Sequence, residues 1–388
     1  MTMRLVLHGG FGEKGRTSVA VETDGFRLLI DAGVKTSARG TREYFPAITP
    51  AELAATDVLV VTHGHEDHAA ALGYCIEHGF RGRMLMTAET AHEAREAHEG
   101  YATARQQALF AAAQVDLLPV GRPTACGPFT LTTGRSGHIA GGVWCAVALR
   151  DRSFLFCGDV VPQSPMFRMD FMPRADAVAL DASYGDDATP PAARAAGIAA
   201  WVARQDRGCV LPTPLYGRSA ELLAIVPGPL ALAPGMREAL DAQLANGTWL
   251  AQPGAGHLVD RLAGAAAWTA DMPLPRAALL CHDGMGLAGP ARGILARARV
   301  ESHPTLFTGH VPEGSPGAAM VDAGLAEWIR LPTHPTLGEN CSLAAAVGAR
   351  MVLGHSCDRN ALARLAPHIP GLRVDAVTGD RLELPCAS

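Results

Sequence analysis

The chain has 388 residues, 48% of them hydrophobic and 18% charged, which excludes a disordered chain and allows one large domain or two of ordinary size. A net charge of -5 excludes a protein that holds polyanions by overall attraction, so any grip on nucleic acid needs a local positive field, metal ions included. The nine cysteines form no Cys-x-x-Cys pair, and no apolar run approaches the roughly 20 residues of a membrane span. Both features fit a cytoplasmic chain without a disulfide framework or a membrane partner.

In chain order, the opening Met1 to Gly10 is too short an apolar run for a signal peptide and reads as a first strand. Val58-Leu59-Val60-Val61 predicts a strand leading into a histidine cluster. A helix follows from about Glu89 to Gln114, with Gly100 as its one breaking point. Phe154 to Cys157 runs into Gly158-Asp159, and Ala177 to Leu180 runs into Asp181. Short apolar strands with polar, special-backbone tips describe buried sheets carrying a site at one end. Near Pro190-Pro191 a separate series begins: helix, the strand Cys209 to Leu211, helix, the strand Ala277 to Leu280, helix, and the strand Thr305 to Phe307. After it, Met351 to Leu353 leads into Gly354-His355, a strand-end histidine like those of the first half. The class is α/β without internal repeats, and the order predicts a discontinuous domain (1–190 and 332–388) interrupted by an inserted domain (191–331).

His63-x-His65-x-Asp67-His68 packs four ligand-type side chains into six positions behind a strand. Buried without a metal, such a group would be costly to satisfy, and imidazole with carboxylate suits zinc. His138, among glycines at Ser136 to Gly142, Asp159 and His355 are further strand-tip candidates.

This string of motifs resembles the metallo-β-lactamase superfamily, whose fold is an αββα sandwich. The resemblance implies two zinc ions per chain, with manganese as the alternative metal. His63, His65 and His138 would hold the first, Asp67, His68 and His355 the second, and Asp159 would bridge them. Within the superfamily, Leu180-Asp181-Ala182-Ser183-Tyr184-Gly185-Asp186 is similar to the β-CASP nuclease signature Glu-Ser-Thr-Tyr-Gly-Asp. Gly217-Arg218-Ser219-Ala220-Glu221-Leu222-Leu223 resembles that group's Gly-Arg-Ala-Gln-Glu-Leu-Leu helix start. Asp283 to Pro290 and Phe307 to Gly317 look like two of its glycine-rich turns, as does Gly9 to Gly15.

The β-CASP resemblance implies a zinc-dependent ribonuclease that cleaves phosphodiester bonds of single-stranded RNA with a hydroxide activated by two metals. The inserted domain would be an α/β cap over the site. Asp159, Asp181 and His334 would be the catalytic residues, the last two matching the group's acid and histidine. His355 stands where histidine accompanies RNA-processing members. Arg218, Asp283, His310 and Ser315 lie in the motifs expected near substrate, and a homodimer is left open. Three departures keep a second function in view: Asp283 replaces a serine, His310 a tyrosine, and Leu331-Pro332-Thr333-His334-Pro335-Thr336 alters the surroundings of the histidine. The insert is also charge-balanced, with 11 Arg against 11 acidic residues between 190 and 332. The alternative is a two-metal hydrolase of a small ester, lactone, thioester or phosphodiester.

Overall fold

The structure, a computed structural model, describes residues 2–38, 41–251 and 255–384. Its strands begin with β1 (Arg4–Gly9), β2 (Ser18–Thr23), β3 (Phe26–Ile30), β4 (Val58–Val60), β5 (Arg83–Met86) and β6 (Asp116–Leu117). Then come β7 (Thr124–Cys126), β8 (Phe129–Arg135), β9 (Val143–Leu149), β10 (Arg152–Phe156) and β11 (Ala177–Asp181). The remainder are β12 (Cys209–Pro212), β13 (Leu230–Leu232), β14 (Ala266–Ala267), β15 (Ala278–Cys281), β16 (Leu306–Phe307), β17 (Glu327–Trp328), β18 (Met351–His355) and β19 (Arg381–Glu383). The chain divides into two compact units. One comprises Met1–Pro162, Met169–Ala188 and His334–Ser388; the other comprises Gln163–Arg168 and Thr189–Thr333.

The first unit is built on two sheets, in the orders β19-β1-β2-β3-β4-β5-β6 and β18-β11-β10-β9-β8-β7. Alternation along each strand sends neighbouring side chains to opposite faces. On β3, Leu29 joins Val6, Ala20 and Leu59 in a core completed by Leu72, Ala94 and Phe110 of the covering helices. Leu28 and Ile30 are buried on the opposite face. On β10, Leu155 packs with Val178, Val352, Leu362 and Leu365, while Phe154 and Phe156 are buried on the other side. Phe26 of the first sheet meets Phe129 of the second edge to face, with centroids 5.8 Å apart. The layer order is therefore helix, sheet, sheet, helix, a metallo-β-lactamase fold.

Parallel pairing decides where chemistry collects. β3, β4 and β5 run parallel, as do β10, β11 and β18. Each set brings its carboxyl ends to one edge, the usual place for a site in such sheets. Asp31, Thr62, Asp159, Asp181 and His355 leave from those ends.

The second unit carries the parallel sheet β12-β15-β13-β14, with β16 bridging to β12 at Val210↔Thr305 and pairing in parallel with β17. Helices such as Pro191–Ala203, Arg218–Ile225 and Gly289–Glu301 alternate with these strands.

One expected helix is two. The stretch from Glu89 to Gln114, with Gly100 as its expected breaking point, forms Ala88–Tyr101 and Ala104–Ala111, and the break falls not at Gly100 but at Ala102-Thr103. Thr103 and Gln106 make a reciprocal capping box that starts the second helix, whereas Gly100 sits inside the first with open space around it.

Candidate metal centre

The site begins with a residue that the sequence reading passed over. Asp31, just beyond β3, is fully buried and accepts from the Thr62 backbone N–H at 2.7 Å, the Thr62 hydroxyl at 2.8 Å and His68 Nδ1 at 2.7 Å. This ties the tips of β3 and β4 together. It also fixes two tautomers through donor and acceptor accounting. With His68 Nδ1–H given to Asp31, Nε2 is aimed at Asp159. Burial opposes a charge on His68, but the Asp159, Asp67 and Asp31 carboxylates raise it well above the ordinary range, and a bound cation would take the place of the Nε2 proton. With the Thr62 proton given to Asp31, Thr62 Oγ1 accepts from His63 Nδ1 at 3.1 Å, and His63 Nε2 is the free acceptor. Both Nε2 atoms are buried without a hydrogen-bond partner, as is Asp159 Oδ1. Three buried ligand-type atoms without a hydrogen-bond partner in one small volume are the signature of a cation site.

His63, His65, His138 and Asp159 each offer a ligand atom, all within 4.8 Å of one another. Asp159 Oδ2 lies 3.6 Å from His63 Nε2 and 3.7 Å from His138 Nε2, and Asp159 Oδ1 lies 3.2 Å from His68 Nε2. One carboxylate thus faces histidines from two loops. Asp67 Oδ2 is 3.8 Å from His68 Nε2. Burial, helped by neighbouring imidazoles, pushes His138 down to about 3. Burial likewise takes His65 to about 4, against the pull of Asp67 and Asp159. These imidazoles are neutral and ready to ligate at neutral pH. Asp31→Ala is expected to lower metal affinity by about 10–100-fold, read by competition with a chromophoric chelator, because His68 would lose its orienting partner. Unchanged affinity would assign Asp31 to folding alone.

His355 is not brought into this group. It ends β18 in register with Asp181, but its Nε2 lies 3.2 Å from the Gly158 carbonyl and its Nδ1 lies 3.0 Å from Ser356 Oγ. Its ring stacks on Phe156 at 4.9 Å. Of the set expected at a second ion, the structure gathers His68, Asp67 and Asp159 and leaves His355 turned onto the backbone.

Beside the cluster, His334 Nδ1 donates to Asp181 Oδ2 at 2.9 Å and lies 3.6 Å from Asp159 Oδ2. Asp181 is fully buried and also accepts from Val160 N–H, Ser183 N–H and the Ser183 hydroxyl, at 3.2, 3.1 and 2.6 Å. Burial opposes its charge, but His334, through its charge and its hydrogen bond, holds the carboxyl below the usual range. Burial likewise opposes a charge on His334, yet the Asp181 and Asp159 carboxylates outweigh it and raise the imidazole to about 10. Asn340, absent from the sequence reading, donates to the Asp181 carbonyl at 2.9 Å and fixes the strand tip.

The second unit holds the residues read as substrate contacts. Arg218 begins the helix Arg218–Ile225 and donates to Thr333 Oγ1 at 3.2 Å. His310 is exposed. Asp283 Oδ1 accepts from the backbone N–H groups of Met285, Gly286 and Leu287 at 3.2, 2.5 and 2.9 Å, so its charge is spent on its own turn. Ser315 is buried, and its hydroxyl caps the helix Pro316–Asp322 by accepting from Ala318 N–H at 3.1 Å. Asp283 and Ser315 serve local backbone in this structure.

Comparison with known proteins follows this geometry. The metallo-β-lactamase superfamily matches residues 12–203. The chain carries a metallo-β-lactamase domain. The transcription termination factor FttA of Cenarchaeum symbiosum (strain A) is 27% identical over 264 residues, 60% of this chain and 41% of that protein. The endoribonuclease YSH1 of Yarrowia lipolytica is 24% identical over 247 residues, 58% of this chain and 30% of that one. The ribonuclease TTHA0252 of Thermus thermophilus is 25% identical over 194 residues, 47% of this chain and 44% of that one. The chain therefore spans less than half the length of these relatives. At this modest identity they accord with the β-CASP ribonuclease resemblance of the motifs. A crystal structure of a protein of unknown function from Enterococcus faecalis V583 shares the fold, with a TM-score of 0.67 at 10% identity. The match covers 99% of this chain and 100% of that one. The metallo-β-lactamase fold and the His/Asp cluster support a metal-dependent hydrolase. Among the described residues no helix is long and apolar enough to cross a membrane.

Proposed function

We propose that the chain is a zinc-dependent ribonuclease that cleaves phosphodiester bonds of single-stranded RNA. The observation that carries this reading is the adjacency of the His63, His65, His138 and Asp159 group to His334, whose Nδ1 is paired with Asp181. The buried, unpartnered Nε2 atoms of His63 and His68 and the Oδ1 of Asp159 fit a cation. Their nitrogen and oxygen donors, without thiolate, suit zinc. When bound, such ions lower the pKa of an attacking water and neutralise charge growing on the phosphoryl oxygens.

The chain's own residues supply the rest. His63, His65 and His138 hold one side of the site, His68 and Asp67 the other, and Asp159 lies between them. The leaving oxygen of a phosphodiester needs a proton. His334, charged at neutral pH, keeps Nδ1–H on Asp181 and has its Nε2 proton to give. Asp181, held in place by Val160 and Ser183, keeps that imidazole oriented and cationic. The inserted segment 191–331 would act as the cap, with Arg218 and His310 as its substrate contacts. The ribonuclease names of two relatives favour RNA. Asp283, where the β-CASP turn has a serine, is held by its own turn through Oδ1.

The test is cleavage of end-labelled single-stranded RNA and matched DNA by protein of measured zinc content. Metal-dependent cutting of RNA over DNA is the expected result. Intact RNA after incubation with protein holding two zinc ions would refute the reading and direct attention to small esters, lactones, thioesters and phosphodiesters.

A further inference from the structure

One helix touches both loops that carry the clustered histidines. The helix Ala88–Tyr101 follows β5 and is capped by Thr87. The hydroxyls of Thr87 and Thr90 both donate to the Gly141 carbonyl, at 2.9 and 3.1 Å, and Gly141 closes the loop that presents His138. Two turns from the cap, Glu93 lies against Gly64, the residue between His63 and His65. A methyl group on Gly64 would stand 2.3 Å from Glu93 Cβ and 2.9 Å from Glu93 Oε2. Thr90 is fully buried and Thr87 and Glu93 nearly so, although no hydrophobic requirement puts two hydroxyls and a carboxyl there. Positions 87, 90 and 93 are three residues apart, which places them along one side of the helix.

We propose that Thr87, Thr90 and Glu93 form a positioning clamp that sets the separation of the His63–His65 turn from the His138 loop. A rigid helix is a suitable spacer for this task. Ligand atoms of a tetrahedral metal must be held to a few tenths of an ångström, and neither loop has regular structure of its own to do so. The two contacts differ in kind. The threonines act on the His138 loop by hydrogen bonding to a carbonyl. Glu93 acts on the other turn by close packing against Gly64, which no larger residue could replace, and by a hydrogen bond with the Gly64 backbone. Burial holds the Glu93 carboxyl well above the usual range, so the clamp adds no negative charge to the site at neutral pH. The inference rests on the reading of the histidine cluster as a metal centre.

The test measures zinc affinity by chelator competition, and the melting temperature of the metal-free protein, for the full chain and for Thr90→Val, Thr90→Ser, Glu93→Leu and Glu93→Gln. Thr90→Val and Glu93→Leu are expected to bind zinc about tenfold or more weakly, as losses of outer-shell support do. The conservative Thr90→Ser and Glu93→Gln are expected to keep the parent's affinity. Glu93→Leu removes a buried carboxyl oxygen without a partner together with the hydrogen bond to the Gly64 backbone, effects of opposite sign, so its metal-free form should melt close to the parent. Weakened zinc binding without loss of metal-free stability is what a purely structural role would not produce. Parent-like affinity in both disruptive variants, or losses of affinity that only follow losses of metal-free stability, would overturn the clamp while leaving the metal centre intact. Failure of the parent chain itself to bind zinc would overturn the metal reading and the clamp with it.

Discussion

Asp159→Ala is expected to lower RNA cleavage by about a thousandfold or more and to reduce bound zinc to one ion per chain or none. Asp159 Oδ2 faces His63 and His138 at 3.6 and 3.7 Å, and Oδ1 faces His68 at 3.2 Å. In the group formed by His63, His65, His138 and Asp159, this carboxylate is the one anion, which makes it the shared counter-charge. Electrostatics point the same way. Burial disfavours its charge, but His68 and His334 hold the carboxyl well below its usual range. Without it, the buried imidazoles lose their common counter-charge, and both metal affinity and the cation on His334 should suffer. Zinc content by elemental analysis, measured beside the cleavage rate, checks this. A folded variant that keeps two ions and cuts at the parent's rate would remove Asp159 from the mechanism.

The parts of this site that were legible from sequence share one property: they are contiguous or sit at a visible strand end. His63 to His68 declares itself because four ligand-type residues within six positions need no tertiary knowledge. Asp159 and Asp181 follow apolar runs that could be read directly. Asp31 is the same kind of residue, a strand-tip aspartate with Gly33 close behind. Its meaning, however, depends on β3 pairing in parallel with β4, Ile30↔Val60, across some thirty residues of chain. Nothing local to Asp31 encodes that pairing. Thr87, Thr90 and Glu93 were hidden for a similar reason, since buried polar residues on an Ala-rich helix look like its solvent face until the loops that cover them are known. The helix break shows a different limit. Glycine was taken as the breaker, whereas a threonine with a glutamine three residues on gave the backbone a better start at Ala104. His355 shows the limit of order as a guide. Its place in the motif series leads to the right strand tip, but its ring direction is decided by Phe156, Ser356 and the Gly158 carbonyl.

His334→Ala should separate proton delivery from metal binding. His334 contacts Asp181 at 2.9 Å and is not needed to complete the group of His63, His65, His138 and Asp159. The variant is therefore expected to retain its zinc while losing about 10²–10⁴-fold in turnover, the range for a general acid. Loss of metal together with activity would show His334 to be a ligand and sink its role as the acid. The pH dependence gives a sharper version of the same test. His334 is raised to about 10, so the acid is present at neutral pH and its contribution is lost only as pH climbs through that value. Asp181→Asn keeps the shape of the pair and removes the stronger-acting of the two charges that raise the imidazole, leaving Asp159. In that variant the alkaline fall in rate should move to lower pH, in the direction of the ordinary histidine value of about 6.5. The folded-state pKa of the parent lies above the unfolded one, so the pair also stabilises the metal-free fold fully below about 6.5. That stabilisation declines as pH rises towards 10, and Asp181→Asn should flatten the slope between those limits. A rate profile that keeps its alkaline limb in the Asp181→Asn chain would mean that some group other than His334 delivers the proton.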